Sequence, residues 1–404
     1  MAARAVEQRL NADHSDHPGP SHPCPCGAPA RYAGRRAKRI QSVLGELALE
    51  RAYYHCAACQ TGFSPRDQHL GLVGSSLSPA VTRMVGLVGA LVSFAEGSEL
   101  MRELAGVPVD AKHVERTAEA LGCDIAEDER RVLEPEPPAV PTMYVGMDGT
   151  GVPLRASELQ GRAGKQPDGS AKTREVKLVT VWTAEARDAE GTPVRDPGSV
   201  TYSAAIESAA SRDTDAHPSE FAQRVDREAR RRGVDHASHR VVLGDGAPWI
   251  WNLADEQFPG ATQIVDLYHA KQHLSDVAKA IYGPGSALAT QWATQRHDEL
   301  DAGTLDAVLH ALRVHAEANA EARKCLDYVT RNQRRMRYPH FRAQGLVVSS
   351  GVVEAGCKVA IGTRLKRAGM HWTLAGANAI IALRCCKLSG RFEDFWERRS
   401  AGAR

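Results

Sequence analysis

Three prolines within the five residues Glu134-Pro135-Glu136-Pro137-Pro138 set the strongest limit on what this chain can fold into. Proline fixes its own φ and lacks an N–H, so neither a helix interior nor a central strand can run through such a stretch. Residues 134–141 therefore read as a stiff linker with a domain boundary inside it. The chain has 404 residues, of which 43% are hydrophobic and 25% charged. At about 100–200 residues per domain, that suggests two to four globular domains with sizeable cores.

On the N-terminal side, residues 1–21 read as a flexible polar tail. Residues 22–70 hold two close cysteine pairs, Cys24-Pro25-Cys26-Gly27 and Cys56-Ala57-Ala58-Cys59, joined by a stretch of extended character. A structural zinc ion takes four thiolate or imidazole ligands in a tetrahedron, and two turn-borne pairs on a hairpin supply them from opposite sides. The expected ligands are Cys24, Cys26, Cys56 and Cys59. The first pair is one residue shorter than a CxxC, which leaves Cys24 under strain or His22 in its place as two alternatives. Cys123, Cys325, Cys357, Cys385 and Cys386 lie in apparent helices and bring the cysteine count to nine. An odd, scattered set argues against a disulfide framework.

Residues 75–133 change to a helical period. Pro79 opens a helix with Val81, Met84, Val85, Val88, Leu91 and Val92 on one face; a second runs from about Glu96 to Ala105 and stops at Gly106; Asp110 caps a third that buries Val114, Ala118 and Leu121. Helix, glycine-containing turn and helix outline a helix-turn-helix, with Lys112, His113 and Arg116 as candidates to face a DNA major groove. An ordinary three-helix bundle has the same spacing.

The formal net charge is only +2, so bulk charge announces no nucleic-acid partner, but basic residues cluster around Arg35–Arg39, Arg230–Arg232, Arg334–Arg337 and Arg364–Arg367. No apolar run of the roughly 18 residues needed to span a membrane occurs, and the first residues lack the build of a signal peptide, so a cytoplasmic, nucleoid-associated protein is expected.

Beyond the linker the pattern is mixed α/β. Strands are expected at 143–147, 152–155, 175–183, 200–203, 240–243 and 263–266, with helices at about 218–232 and from about 248. Further helices at 286–300, 305–316 and 321–336 form an all-α insertion at about 283–340. Asp148 ends the apolar run 143–147, Asp245 ends 241–244, and Glu354 lies in Ser349-Ser350-Gly351-Val352-Val353-Glu354. Singly, each aspartate before glycine is a common turn former. Glu354 has Gly351 where a reciprocal capping box needs Ser or Thr, which weakens the capping alternative, although an i,i+4 pair with Lys358 stays open. Together they form a hard-oxygen donor set of the kind that holds divalent ions for phosphodiester chemistry. The glycines after Asp148 and Asp245 leave room for a phosphate backbone. Order and carboxylate placement match an RNase H-like domain over 142–404.

From about Cys24 to Trp396 the chain resembles DDE transposases of the ISKra-type insertion-sequence group, related to the Mutator-like superfamily. The carrying motifs are Met147-Asp148-Gly149-Thr150-Gly151-Val152-Pro153, Leu243-Gly244-Asp245-Gly246-Ala247-Pro248-Trp249, Val265-Asp266-Leu267-Tyr268-His269, and Ser349 to Glu354 running on to Gly369-Met370-His371-Trp372. The resemblance implies an enzyme that cuts DNA at element ends and joins the freed 3′-hydroxyl to target DNA. Asp148, Asp245 and Glu354 would hold two Mg²⁺ or Mn²⁺ ions, with Asp266 and His269 as accessories. Arg334, Arg335, Lys358, Arg364, Lys366 and Arg367 are the expected phosphate contacts, and Trp372 a stacking platform. Double-stranded DNA and a second copy of the chain, in a homodimer or higher oligomer, are the implied partners. Rival readings are a DNA-binding regulator that has lost catalysis, a nuclease without strand transfer, and a metal-independent glycosidase.

Overall fold

The computed structural model describes residues 2–131, 139–164, 166, 169–210, 217–349 and 351–402, so positions 134–138 of the expected linker and Ser350 lie outside the described residues. The chain divides into two compact units, Met1–Glu129 with Gly390–Arg404, and Arg130–Ser389. No helix among the described residues is long and apolar enough to cross a membrane.

The first unit opens with a helix, Ala2–Ala12, where a flexible tail was expected. Strand β1 (Ser21–Pro23) pairs with β2 (Pro29–Ser42), β2 with β3 (Gly45–His55), and β3 only by its last residues with β4 (Gly62–Phe63), all antiparallel. Side chains of the N-terminal segment complete the open edge of β3. Glu7 accepts from the Ala48 N–H at 2.8 Å, Asn11 takes the Glu50 N–H at 2.9 Å, and buried Asp16 takes the Ala52 N–H at 2.8 Å. Every second edge amide is thus satisfied without a fifth strand, and the edge is closed to foreign strands.

Helices Pro79–Leu91, Phe94–Ala105 and Ala111–Arg131 follow, close to the expected places. Ser93 and Glu96 form a capping box, Gly106 ends the second helix at φ 64°, and Asp110 accepts from the His113 N–H at 2.9 Å. Val81, Val85, Met101, Val107, Val109 and Val114 form their common core. The last helix, Phe392–Gly402, belongs to this unit, whereas the sequence assigned it to the catalytic segment. Phe392 fills the space over Gly86, and Arg391 and Arg398 pair with Glu129 and Asp128 at 3.2 and 2.6 Å. Those complementary charges sit far apart in the sequence, where no local pattern reveals them.

The second unit is built on a five-stranded mixed sheet. Strand β5 (Thr142–Pro153) pairs antiparallel with β6 (Thr173–Trp182); after a small hairpin of β7 (Ala186–Arg187) and β8 (Pro193–Val194), β9 (Thr201–Ala205) pairs antiparallel with β6. On the other side β10 (His239–Gly244) runs parallel to β5, and β11 (Thr262–Val265) parallel to β10. The spatial order is β11-β10-β5-β6-β9. Met143, Tyr144, Val145 and Met147 are all buried, as a central strand covered on both faces requires. Helix Glu220–Arg232 packs on β6 and β9, and the helices between Gly351 and Leu388 pack on β5, β6 and β9. Helices Ala287–Ala302, Leu305–Ala316 and Ala320–Asn332 form the helical insertion. One expectation fails in a useful way: β5 is continuous through Asp148, because its pairing with β6 runs unbroken from Tyr144 to Pro153.

Candidate functional site

Register explains why carboxylates distant in sequence meet. Met147 of β5 is the partner of Gly244 in β10, and Gly244 is the partner of Val265 in β11, so Asp148, Asp245 and Asp266 follow side by side on three neighbouring parallel strands. Asp245 and Asp266 directly follow the carboxyl ends of β10 and β11, where open α/β sheets form their binding crevice, and Asp148 lies within β5 one residue past its last pair with β10. Each is oriented by a local amide: Asp148 accepts from the Gly149 N–H at 2.6 Å, Asp245 from the Ala247 N–H at 2.8 Å, Asp266 from the His269 N–H at 2.8 Å.

Glu354 arrives from the helix Gly351–Gly356. That helix sits flush on the sheet because two glycines permit it: Val353 fills the space a Cβ would take at Gly146, and Gly356 lies against Leu178, Thr180 and Tyr202. The helix continues through a π-helical turn, Cys357–Gly362. A π-turn displaces carbonyls from the regular ladder, and here buried Arg384 donates to the Val359 and Ala360 carbonyls and to the Thr363 hydroxyl.

Asp148, Asp245, Asp266, His269 and Glu354 all line one cavity of about 410 Å³, together with Tyr268 and Gln272. Burial raises the Asp148 carboxyl above its usual range; hydrogen bonds from Cys357 and Gly149 oppose this, and the Asp245 charge adds to it. Glu354 is 70% exposed and pairs with Lys358 at 2.8 Å, the i,i+4 alternative left open by the sequence. Among the described residues, only the four cysteines form a closed group of three or more metal-ligating side chains; the carboxylates converge on their cavity without closing. Asp148 and Asp245 have no cationic ion-pair partner among the described residues.

The sequence missed the residue that holds the Asp245 turn. Tyr328, from the helical insertion, donates its hydroxyl to the Asp245 carbonyl at 2.9 Å, and its ring occupies the space beside Gly246, whose φ is 100°. His273 packs on Tyr328 with ring centroids 4.4 Å apart and on His269 at 5.0 Å. Burial, then the His269 charge, lowers the His273 pKa. The i,i+4 spacing of His269 and His273 was the available signal; Tyr328 had none. The expected room beside the glycines is absent, since Tyr328 fills it at Gly246 and a Cβ at Gly149 would lie 2.5 Å from Glu175 Oε1.

The cysteines in the first unit meet closely. Cys24 Sγ lies 3.6 Å from Cys59 Sγ, Cys26 Sγ lies 3.6 Å from Cys56 Sγ, and all four sulfurs fall within 4.8 Å of one another. A tetrahedral thiolate site with bonds of about 2.3 Å has sulfur–sulfur edges of about 3.8 Å, so this set fits a zinc ion. Cys24 is the fourth member, and His22 is not: its ring packs on Tyr54 and Phe63. The short pair closes because Gly27, at φ 87°, turns the chain directly after Cys26, as Gln60 at φ 59° does after Cys59. The Thr61 hydroxyl and amide lower the Cys59 thiol to about 6. Against the pull of the Ala28 amide, contacts with Cys24, Cys59 and Cys56 push Cys26 up to about 12. Crowded thiols that cannot all ionise together are what a dication relieves.

The expected DNA contacts divide. Arg364 is fully buried with its guanidinium over Trp372 at 5.2 Å, and Trp372 is itself buried, its indole N–H given to the Leu365 carbonyl at 3.0 Å. Neither can touch DNA; burial against the sheet gives them to the core. Arg335 is held by Gln263 at 2.6 Å and over Trp251 at 4.6 Å, while neighbouring Arg334 is exposed. Lys366 is exposed and donates to the Thr150 hydroxyl, Arg367 is half-buried, and Lys358 is engaged by Glu354. In the first unit, Lys112 pairs with Glu115 at 2.8 Å, and His113 and Arg116 line a cleft of about 420 Å³. Comparison of the chain with protein-family models and with curated proteins returns no match.

Proposed function

We propose that the chain is a DNA transposase that cleaves element ends and joins them to target DNA, using divalent ions at Asp148, Asp245 and Glu354 within an RNase H-like sheet. What carries the reading is that these three side chains, far apart in sequence, line one cavity. Their mounting supports it as well, with one carboxylate on the first strand of the sheet, one after the fourth and one on a late helix. Ions bound there would activate the attacking oxygen and stabilise the leaving one. The protein's own part is positioning: β5 and β10 fix Asp148 and Asp245, Tyr328 holds the Asp245 turn, and the helix on Gly146 carries Glu354 to the rim. Tyr268, 67% exposed at the same cavity, offers a ring on which a base can stack.

The helix Ala111–Arg131 would enter the major groove with Lys112, His113 and Arg116, and zinc at Cys24, Cys26, Cys56 and Cys59 would lock the hairpin behind it. A second reading, a DNA-binding regulator without catalysis, draws support from the exposed Glu354–Lys358 pair. The test separates the two. With duplexes carrying the sequences that flank its own gene, Mg²⁺-dependent nicking and joining should vanish in Asp148→Asn and Glu354→Gln while binding persists. Binding by the wild type without any cleavage would favour the regulator.

A further inference from the structure

Asp148, Thr150 and Val152 alternate onto one face of β5, Leu154 follows just past the strand, and the chain after the π-turn runs beside them. Lys366 reaches Thr150, and Trp372 bridges Leu154 in parallel register, with the Arg155 N–H given to the Trp372 carbonyl at 2.9 Å. At the far end of this track, six residues from Asp148 and so roughly 20 Å away, described residues between β5 and β6 and His371 line an open pocket of about 860 Å³. Its walls include Gln160, Arg162, Ser157, Lys172 and His371.

Among the described residues lining it, the charge is one-sided. Arg162, Lys172 and His371 are exposed, and among the described residues none has an ion-pair partner. Arg174, opposite Val152 on β6, is crowded by the same group: burial first and then the Arg162 charge lower its pKa, with Glu158 opposing. One oxygen of Glu158 accepts the Leu374 N–H, and Glu175, next to Arg174 in the sequence, is paired with Lys177 at 2.6 Å. A concave site with several converging cations and little countercharge suits a polyanion.

We propose that this cavity binds the phosphodiester backbone of the DNA engaged by the carboxylates, about six phosphates from the reacting one at the 3.4 Å spacing of a duplex strand. The inference rests on the reading of the carboxylate cavity as a DNA-processing site, and it gives that DNA a direction, along β5 from Asp148 past Lys366 toward Arg162 and Lys172.

The test uses the full-length, zinc-loaded protein, a fluorescent duplex of about thirty base pairs, and anisotropy titrations over a range of salt. Each phosphate contact contributes about 0.9 to the slope of log affinity against log salt. Arg162→Ala with Lys172→Ala should therefore lower the slope by about 2 and weaken binding on the order of tenfold or more at low salt. Arg162→Lys with Lys172→Arg should restore both. The same neutralisation at Arg323 and Lys324, on the helical insertion, should change neither. An unchanged slope in the first variant overturns the inference, as does an equal loss in the control. Mg²⁺-dependent nicking is scored separately. A wild type that shows the expected slopes without nicking keeps the phosphate site and removes the catalytic reading, whereas nicking with unchanged slopes does the reverse.

Discussion

Asp148 is the most informative single residue. Its carboxyl is raised by burial and by Asp245, so the native state holds that proton more tightly than the unfolded chain does. Stability therefore falls as pH rises from the ordinary aspartate range through the raised value, so ionising this group destabilises the metal-free fold. Asp148→Asn should raise the melting temperature of metal-free protein by on the order of a few degrees. Mg²⁺ or Mn²⁺ should stabilise the wild type and leave the variant unmoved. Calorimetry at neutral pH checks both, and equal metal stabilisation in the two proteins would remove Asp148 from the site. Tyr328→Phe deletes one hydroxyl and keeps the ring, so stability should drop by about 1 kcal/mol while the Mn²⁺ affinity of the cavity weakens; an unchanged Mn²⁺ titration would leave Tyr328 a packing residue. At this scale the sequence was readable where chemistry is local. Asp148 and Asp245 announce themselves by closing apolar runs, and the cysteines by their pairing. Arg364 and Trp372 misled because their burial is decided by tertiary pairing, with Trp372 bridged to Leu154 and Arg364 lying over its ring, and the local sequence does not encode that.

Among the elements, helix 220–232 and the segment just after β9 are joined by a partly buried pair, Arg224 with Glu207, at 2.6 and 2.9 Å. Burial pushes the Glu207 carboxyl up, but the Arg224 hydrogen bonds and charge hold it below the ordinary range. Its contribution is thus present above the unfolded glutamate value and lost as pH falls through the depressed one. Glu207→Gln should cost about 1–3 kcal/mol at pH 7, and the two melting curves should converge below about pH 4; a gap constant with pH would contradict this. Element types were largely legible from periodicity, including the three helices of the first unit and the helical insertion. The continuity of β5 was not, because Gly149 and Gly151 look like breakers until β6 supplies their partners. The N-terminal helix was hidden for a related reason. It buries no residue of its own and is held by Glu7 and Asn11 against a strand edge that only the tertiary fold creates.

For the whole molecule, two kinds of donor set fall in different units, soft thiols in the first and hard carboxylates in the second, and the proposed function gives each its own metal. They should be separable by chelator. Removing zinc, or changing Cys56 and Cys59 to Ser, should melt the β1–β4 hairpin unit and abolish tight DNA binding, while the carboxylate cavity keeps its Mn²⁺ affinity. Zinc content by atomic absorption and Mn²⁺ titration on the same sample check this, and retained zinc in the cysteine variant would contradict it.

The claim that Asp148, Asp245 and Glu354 act as one site is tested most directly by incubating full-length protein with Mg²⁺ and a duplex carrying the sequences that flank its gene. The wild type should give nicked and joined products, and Asp148→Asn, Asp245→Asn and Glu354→Gln should each give neither while still binding the duplex. Undiminished cleavage by any one of the three variants would contradict the account.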